Sequence, residues 1–109
     1  MDMVRDISCR EVAQLMETSA PLTLVDVREA WELEICAIEG ALHIPLGEIA
    51  QRYGDIDDSK PVAVLCHHGV RSRHAAMFLR AQGLENVFNI AGGIEMWAID
   101  VAPEMSRYE

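Results

Sequence analysis

The stretch Pro61-Val62-Ala63-Val64-Leu65-Cys66-His67-His68-Gly69-Val70-Arg71-Ser72 decides the fold. Its first five residues form a short apolar run, rich in valine, of the kind found in strands buried on both faces. Arg71 to Gln82 then reads as a helix, with Gly83 at the position where helices commonly stop. A buried strand, a tight turn and a helix start therefore meet at Cys66. Backbone N–H groups in such a turn point into one small volume and favour negative charge there. A cysteine in that volume has its thiolate stabilised, and the thiolate is the reactive form.

Working outward, Leu22-Thr23-Leu24-Val25-Asp26-Val27 is a second strand of high apolar density, and Val87-Phe88-Asn89-Ile90 is a third. Ser8 followed by Glu11 is a capping-box pattern. Behind it, Val12, Leu15 and Met16 have the spacing of an amphipathic helix that ends near Thr18. Glu29 to Leu33 reads as a short helix, and residues 47–52 as another. Gly92-Gly93 turns the chain into a last helix carrying Met96 and Trp97. Strands alternating with helices predict an α/β fold, a small parallel β-sheet flanked by helices on both faces. Ligands gather at the carboxyl ends of strands in such sheets. Three polar clusters fall there: Asp26-Val27-Arg28, Cys66 to Ser72, and Gly92-Gly93.

A chain of 109 residues predicts one domain, with a core over about residues 5–99 and a short C-terminal tail. The net charge of −9 argues against nucleic acid, which needs clustered Lys and Arg, and against an anionic membrane surface. Three widely spread cysteines do not make a disulfide framework and suit a reducing compartment. The first residues lack the apolar core of a signal peptide, and no apolar run approaches the length of a membrane span. The expectation is a cytoplasmic protein.

With these pieces in hand, the chain resembles the single-domain rhodaneses of the rhodanese-like sulfurtransferase family. The resemblance is carried, in order, by Asp26-Val27-Arg28-Glu29, by Glu39-Gly40-Ala41-Leu42-His43-Ile44-Pro45, and by the Cys66–Ser72 loop. The Arg73–Gln82 helix with Gly83, and Ala91-Gly92-Gly93-Ile94-Glu95-Met96-Trp97, complete it. Cys36-Ala37-Ile38 departs from the Gly-His-Ile that the family often has, and changed local packing is expected there. The resemblance implies that Cys66 takes a sulfane sulfur from a small anionic donor such as thiosulfate, holds it as a persulfide, and passes it to a thiophilic acceptor. That acceptor is cyanide in vitro and a thiol or protein in the cell.

The loop residues His67, His68, Gly69, Val70, Arg71 and Ser72 are the expected substrate-binding set, with Asp26, Arg28, Gly92 and Gly93 in support. Gly69 lets the backbone bend towards the sulfur without a Cβ clash. Arg71 can offer a planar fork to a sulfonate-like anion; its alternative is a salt bridge to a nearby carboxylate. Ser72 is expected to cap the helix, Asp26 to cap the short helix after it, and Arg28 to brace the loop through carbonyl hydrogen bonds. The histidines are expected to line the pocket rim and make donor binding pH-dependent near their ordinary value of about 6.5, with surface residues of no role as the alternative for either one. They do not read as metal ligands with Cys66, because no fourth ligand is apparent and inward N–H groups repel a cation. No cofactor is implied. Cys9 and Cys36 read as small hydrophobes, with a resolving thiol as the alternative for Cys36. Trp31 and Trp97 read as core or rim packing.

Three other functions compete. A cysteine-dependent phosphatase or arsenate reductase uses the same nucleophile and arginine, but phosphatases sharing this fold have five residues between them. Cys66 and Arg71 enclose four, which suits one sulfur atom and crowds a phosphoryl group. A binding module without catalysis is disfavoured by the retention of Cys66, Gly69 and Arg71. A sulfur relay that exchanges persulfide with another protein stays open, and an acidic surface would favour a basic partner.

Overall fold

The structure is a computed structural model that describes residues 4–18 and 21–109. Five strands form one all-parallel sheet: β1 (Arg5–Ile7), β2 (Thr23–Asp26), β3 (Leu42–His43), β4 (Val62–Leu65) and β5 (Val87–Ile90). Their order across the sheet is β1-β5-β4-β2-β3. The apolar runs at β2 and β4 are central because every residue from Val62 to Leu65 is buried, which only a strand covered on both faces allows.

Among the described residues, four α-helices connect the strands, α1 (Cys9–Met16), α2 (Ala30–Ile35), α3 (Ile49–Arg52) and α4 (Val70–Ala81), and α5 (Gly93–Asp100) follows β5. The capping box at α1 is present, with Ser8 Oγ accepting from the Glu11 N–H at 3.1 Å and Glu11 reaching back to the Ser8 N–H. On one face of the sheet, Val25, Val62, Val64 and Val87 pack with Ile49 of α3 and Ala75, Ala76 and Leu79 of α4. On the other, Leu24, Ala63, Leu65 and Ile90 pack with Cys9 and Val12 of α1 and Ile94 and Trp97 of α5. Consecutive strand residues thus feed opposite cores, as the pleat requires. Each fully buried aliphatic side chain contributes about 1.5–3 kcal/mol of hydrophobic stabilisation.

Two strands were not expected from the sequence, and both are sheet edges. β1 exposes Arg5 and Asp6 and buries only Ile7, while β3 is two half-buried residues. Neither is long enough to show a period. Among the described residues, no helix is long and apolar enough to cross a membrane.

The parallel arrangement brings the ends of β2, β4 and β5 to one edge of the domain. The three polar clusters stand there.

Candidate active site

Cys66 follows the last residue of β4, and the chain turns at once into α4. Gly69 makes the turn at φ 106°, a left-handed conformation that L side chains rarely adopt. Its own N–H then points back at the cysteine and donates to Sγ at 3.0 Å. The helix starts at Val70, with Gly69 as its N-cap. Ser72 is consequently not the cap that was expected; it lies inside the first turn and is fully buried. Its hydroxyl stands 3.2 Å from Cys66 Sγ and donates to Asn89 Oδ1 at 2.5 Å.

The loop is held from behind by α5. The Ile94 N–H donates to the Cys66 carbonyl at 2.9 Å and the Glu95 N–H to that of His67 at 3.1 Å. Gly93 sits at φ 60°, and a Cβ there would run into both of those carbonyl oxygens. The Gly92-Gly93 pair therefore supports the site by letting the start of α5 approach the loop backbone. Cys9 lies beneath, its thiol 3.6 Å from the Gly93 carbonyl and pushed up to about 11 by burial and by Asp100. It is a packed hydrophobe, as read. Cys36 is half-buried, with its carbonyl accepting from Arg28.

Arg71 does not present a free fork. Its Nη1 and Nη2 donate to Glu32 Oε1 and Oε2 at 2.6 and 2.8 Å, which is the salt-bridge alternative. Burial pushes the Glu32 carboxyl up, but hydrogen bonds from Arg71, Tyr108 and the Glu29 N–H outweigh it and hold the group at about 2. The same pairing raises Arg71 above its ordinary range, so both partners are charged.

Asp26 and Arg28 form a second ion pair, 2.8 Å long, with both side chains fully buried. Asp26 does not cap α2: its Oδ1 accepts from the Arg28 N–H at 3.0 Å. Nor does Arg28 brace the cysteine loop. Its Nη2 donates to the Cys36 carbonyl at 2.9 Å and its Nη1 to the Tyr108 hydroxyl at 3.0 Å. Burial lowers Arg28, yet the hydrogen bonds from it to Asp26 and Tyr108 carry the net direction upwards. Both corrections have one physical cause. A guanidinium removed from water must find carboxylate and carbonyl partners, and the nearest lie in its own strand end and in α2.

The histidines part company. His68 is exposed, whereas His67 is 8 % exposed, its ring stacked between His68 and Tyr108 with centroids 3.9 Å apart on each side. Burial and the neighbouring His68 lower its pKa, against the pull of Glu95 and Glu32. His67 is therefore a buried ring inside a stack rather than a residue of the rim. Val70, 65 % exposed, occupies the rim instead.

Four functional-site neighbours had no signal in the sequence: Asp6, Glu32, Asn89 and Tyr108. Tyr108 is the most removed. Its hydroxyl donates to Glu32 Oε2 at 2.6 Å while accepting from Arg28, and its ring meets Trp31 edge-on at 5.9 Å. The tail is further fixed by an ion pair between Arg107 and Glu95. A cavity of about 410 Å³ lined by Glu95, Arg107, Tyr108 and Glu109 opens beside it. Trp97 is core, and Trp31 lies at the rim, 55 % exposed.

Residues 8–100 match the rhodanese-like domain family. The chain is 40% identical over 89 residues to the thiosulfate sulfurtransferase GlpE of Actinobacillus succinogenes, covering 78% of this chain and 77% of that one. It is 34% identical over 94 residues to the "Putative sulfur carrier protein YrkF" of Bacillus subtilis, covering 86% of this chain and 51% of that protein. It thus spans about half the length of that curated relative. Among solved structures, a rhodanese-related protein from Thermoplasma volcanium superposes with a TM-score of 0.82 at 33% identity, covering 91% of this chain and 95% of that one. The chain belongs to the rhodanese-like domain family.

Proposed function

We propose that the protein is a sulfurtransferase that carries sulfane sulfur as a persulfide on Cys66. The observation that carries this reading is the Cys66 sulfur itself. It stands at the end of a central parallel strand, receives the Gly69 N–H at 3.0 Å, and faces the start of a twelve-residue helix. In the reaction, the thiolate attacks the outer sulfur of thiosulfate. A new S–S bond forms, the donor's S–S bond breaks, and sulfite leaves with the electron pair. The charge then rests on the outer persulfide sulfur at the mouth of a turn built around a helix N-terminus. An acceptor nucleophile attacks that outer sulfur and Cys66 is regenerated as thiolate.

Similarity to both a thiosulfate sulfurtransferase and a protein named as a sulfur carrier supports this chemistry while leaving two donors in play, a small anion and a protein persulfide. Incubation with thiosulfate is expected to add the mass of one sulfur atom, mapped to Cys66, and cyanide to remove it as thiocyanate. Retention of full thiocyanate formation by Cys66→Ser would refute the role of Cys66. Loading by a persulfidated protein but not by thiosulfate would assign the protein to a relay.

A further inference from the structure

Arg71 lies in the first turn of α4, and its charge reaches Cys66. A free guanidinium there would draw any anion to the site. Glu32 takes that charge up: its carboxylate, 3 % exposed, holds Nη1 and Nη2 at 2.6 and 2.8 Å. The same matching recurs around the loop. Asp26 pairs with Arg28, Asp6 with Arg73, and Glu95 with Arg107. Among the described residues, each guanidinium of the site and its frame therefore carries a carboxylate. What remains to meet a charge at Cys66 is the Gly69 N–H, 3.0 Å from Sγ, and the N-terminus of α4. These are partial charges aimed at one point. Beyond them lies a chain of net charge −9.

We propose that Glu32 is a specificity-determining residue, which by neutralising Arg71 makes the Cys66 site discriminate against dianionic sulfur donors in favour of a persulfide. The inference rests on the reading of Cys66 as a sulfur carrier and says which donor that site takes. A persulfide brings at most one charge, on the outer sulfur that Sγ attacks, where the N–H groups of the turn lie. Sγ bonds to that sulfur, the donor's S–S bond breaks, and a thiolate leaves with the electron pair. Thiosulfate brings a second charge on a sulfonate that projects away from the turn, towards groups whose charges already cancel. It loads the site, but weakly.

Glu32→Gln keeps the shape of the side chain and removes its charge. The amide oxygen still accepts from the Glu29 N–H and from Arg71 Nη1, and the amide nitrogen donates to the Tyr108 hydroxyl, which turns to accept. Arg71 Nη2 is released, with an unopposed charge behind it. The substitution lowers stability and yet should speed reaction with anions, which damage to the fold does not do.

The test compares iodoacetate, which is singly charged, with neutral iodoacetamide at Cys66, read by mass spectrometry in the parent, Glu32→Gln and Glu32→Asp. It is run at about pH 8.5, two units above the ordinary histidine value of about 6.5. The ratio of the two rates at one sulfur cancels its thiolate fraction and its accessibility. In the parent the ratio is expected to rise with ionic strength, because screening relieves repulsion. Glu32→Gln should raise the low-salt ratio roughly two- to threefold, and kcat/KM for thiosulfate by about the square of that factor, since a dianion feels one unit charge twice over. Glu32→Asp keeps the charge on a shorter stem and should stay near the parent ratio. Loading of the parent should be faster with cysteine persulfide and with a persulfidated protein than with thiosulfate, and the faster of the first two identifies the source of the persulfide. A parent ratio that falls with salt would overturn the proposal without any variant. So would an unchanged ratio in Glu32→Gln, a ratio in Glu32→Asp as high as in Glu32→Gln, or thiosulfate as the fastest donor. Alkylation needs no sulfur donor, so failure of the charge discrimination is distinct from failure of sulfur transfer.

Discussion

Glu32 accepts four hydrogen bonds, as many as a carboxylate has lone-pair sites: Arg71 Nη1 and the Glu29 N–H on Oε1, Arg71 Nη2 and the Tyr108 hydroxyl on Oε2. This full set is why a side chain only 3 % exposed stays ionised. Its consequence for stability has a definite sign. The folded value of about 2 lies below the ordinary 4.5, so the stabilisation is complete above pH 4.5 and is lost as pH falls towards 2. On the order of 3 kcal/mol is at stake. Urea titrations at a series of pH values are expected to show Glu32→Gln less stable at pH 7 and with a flatter acid limb; an unchanged limb would remove Glu32 as its source. None of this was readable in Glu29 to Leu33, where Glu32 is one of two acidic residues in a short helix. Orientation and partner are tertiary facts, and they give the Arg71 fork a carboxylate partner on α2.

The strand–turn–helix unit from Val62 to Ala81 was legible because each part announces itself locally: a buried run, a glycine at the bend, a glycine after the last turn. The edges β1 and β3 were not, since their hydrogen bonds to neighbouring strands define them more than their side chains do. The clamp of α5 on the loop belongs to the same scale. Gly93 was singled out as support, and the reason is the close approach of its Cα to the Cys66 and His67 carbonyls. Gly93→Ala must strain a left-handed residue and push the loop backbone away, a cost of at least about 2 kcal/mol. Gly40 provides the control: it also has positive φ, at 91°, but nothing lies within 4 Å of an added Cβ. Gly40→Ala should show only the strain, about 1–2 kcal/mol. Thermal unfolding is expected to rank Gly93→Ala below Gly40→Ala, and only the former should slow persulfide loading. Equal loading rates would show that the loop tolerates displacement.

At the scale of the whole molecule, the tail after α5 returns across the domain and joins the two ion pairs through one hydroxyl. Asp26–Arg28 and Glu32–Arg71 meet at Tyr108, so the ends of β2, α2 and α4 are tied together by the last turn of the chain. The tail shows no apolar period, so nothing in the sequence marks Tyr108, which is placed by its bonds to Arg28 and Glu32 and its stack on His67. Its ring also closes His67 off from solvent. Burial is the leading reason the His67 pKa lies below 6.5, so removing the ring should let it climb back towards that value. Between the folded and ordinary values the unfolded chain binds more protons, which makes stability rise with pH across that interval; below it both states carry the proton and the slope vanishes. Tyr108→Ala should flatten this slope, whereas Tyr108→Phe keeps the stack and should preserve it while losing both hydroxyl bonds, about 1.5–3 kcal/mol. Histidine titration by NMR in the three proteins checks the point. A His67 midpoint that does not rise in Tyr108→Ala would mean that the loop itself, and not the tail, keeps water from the ring.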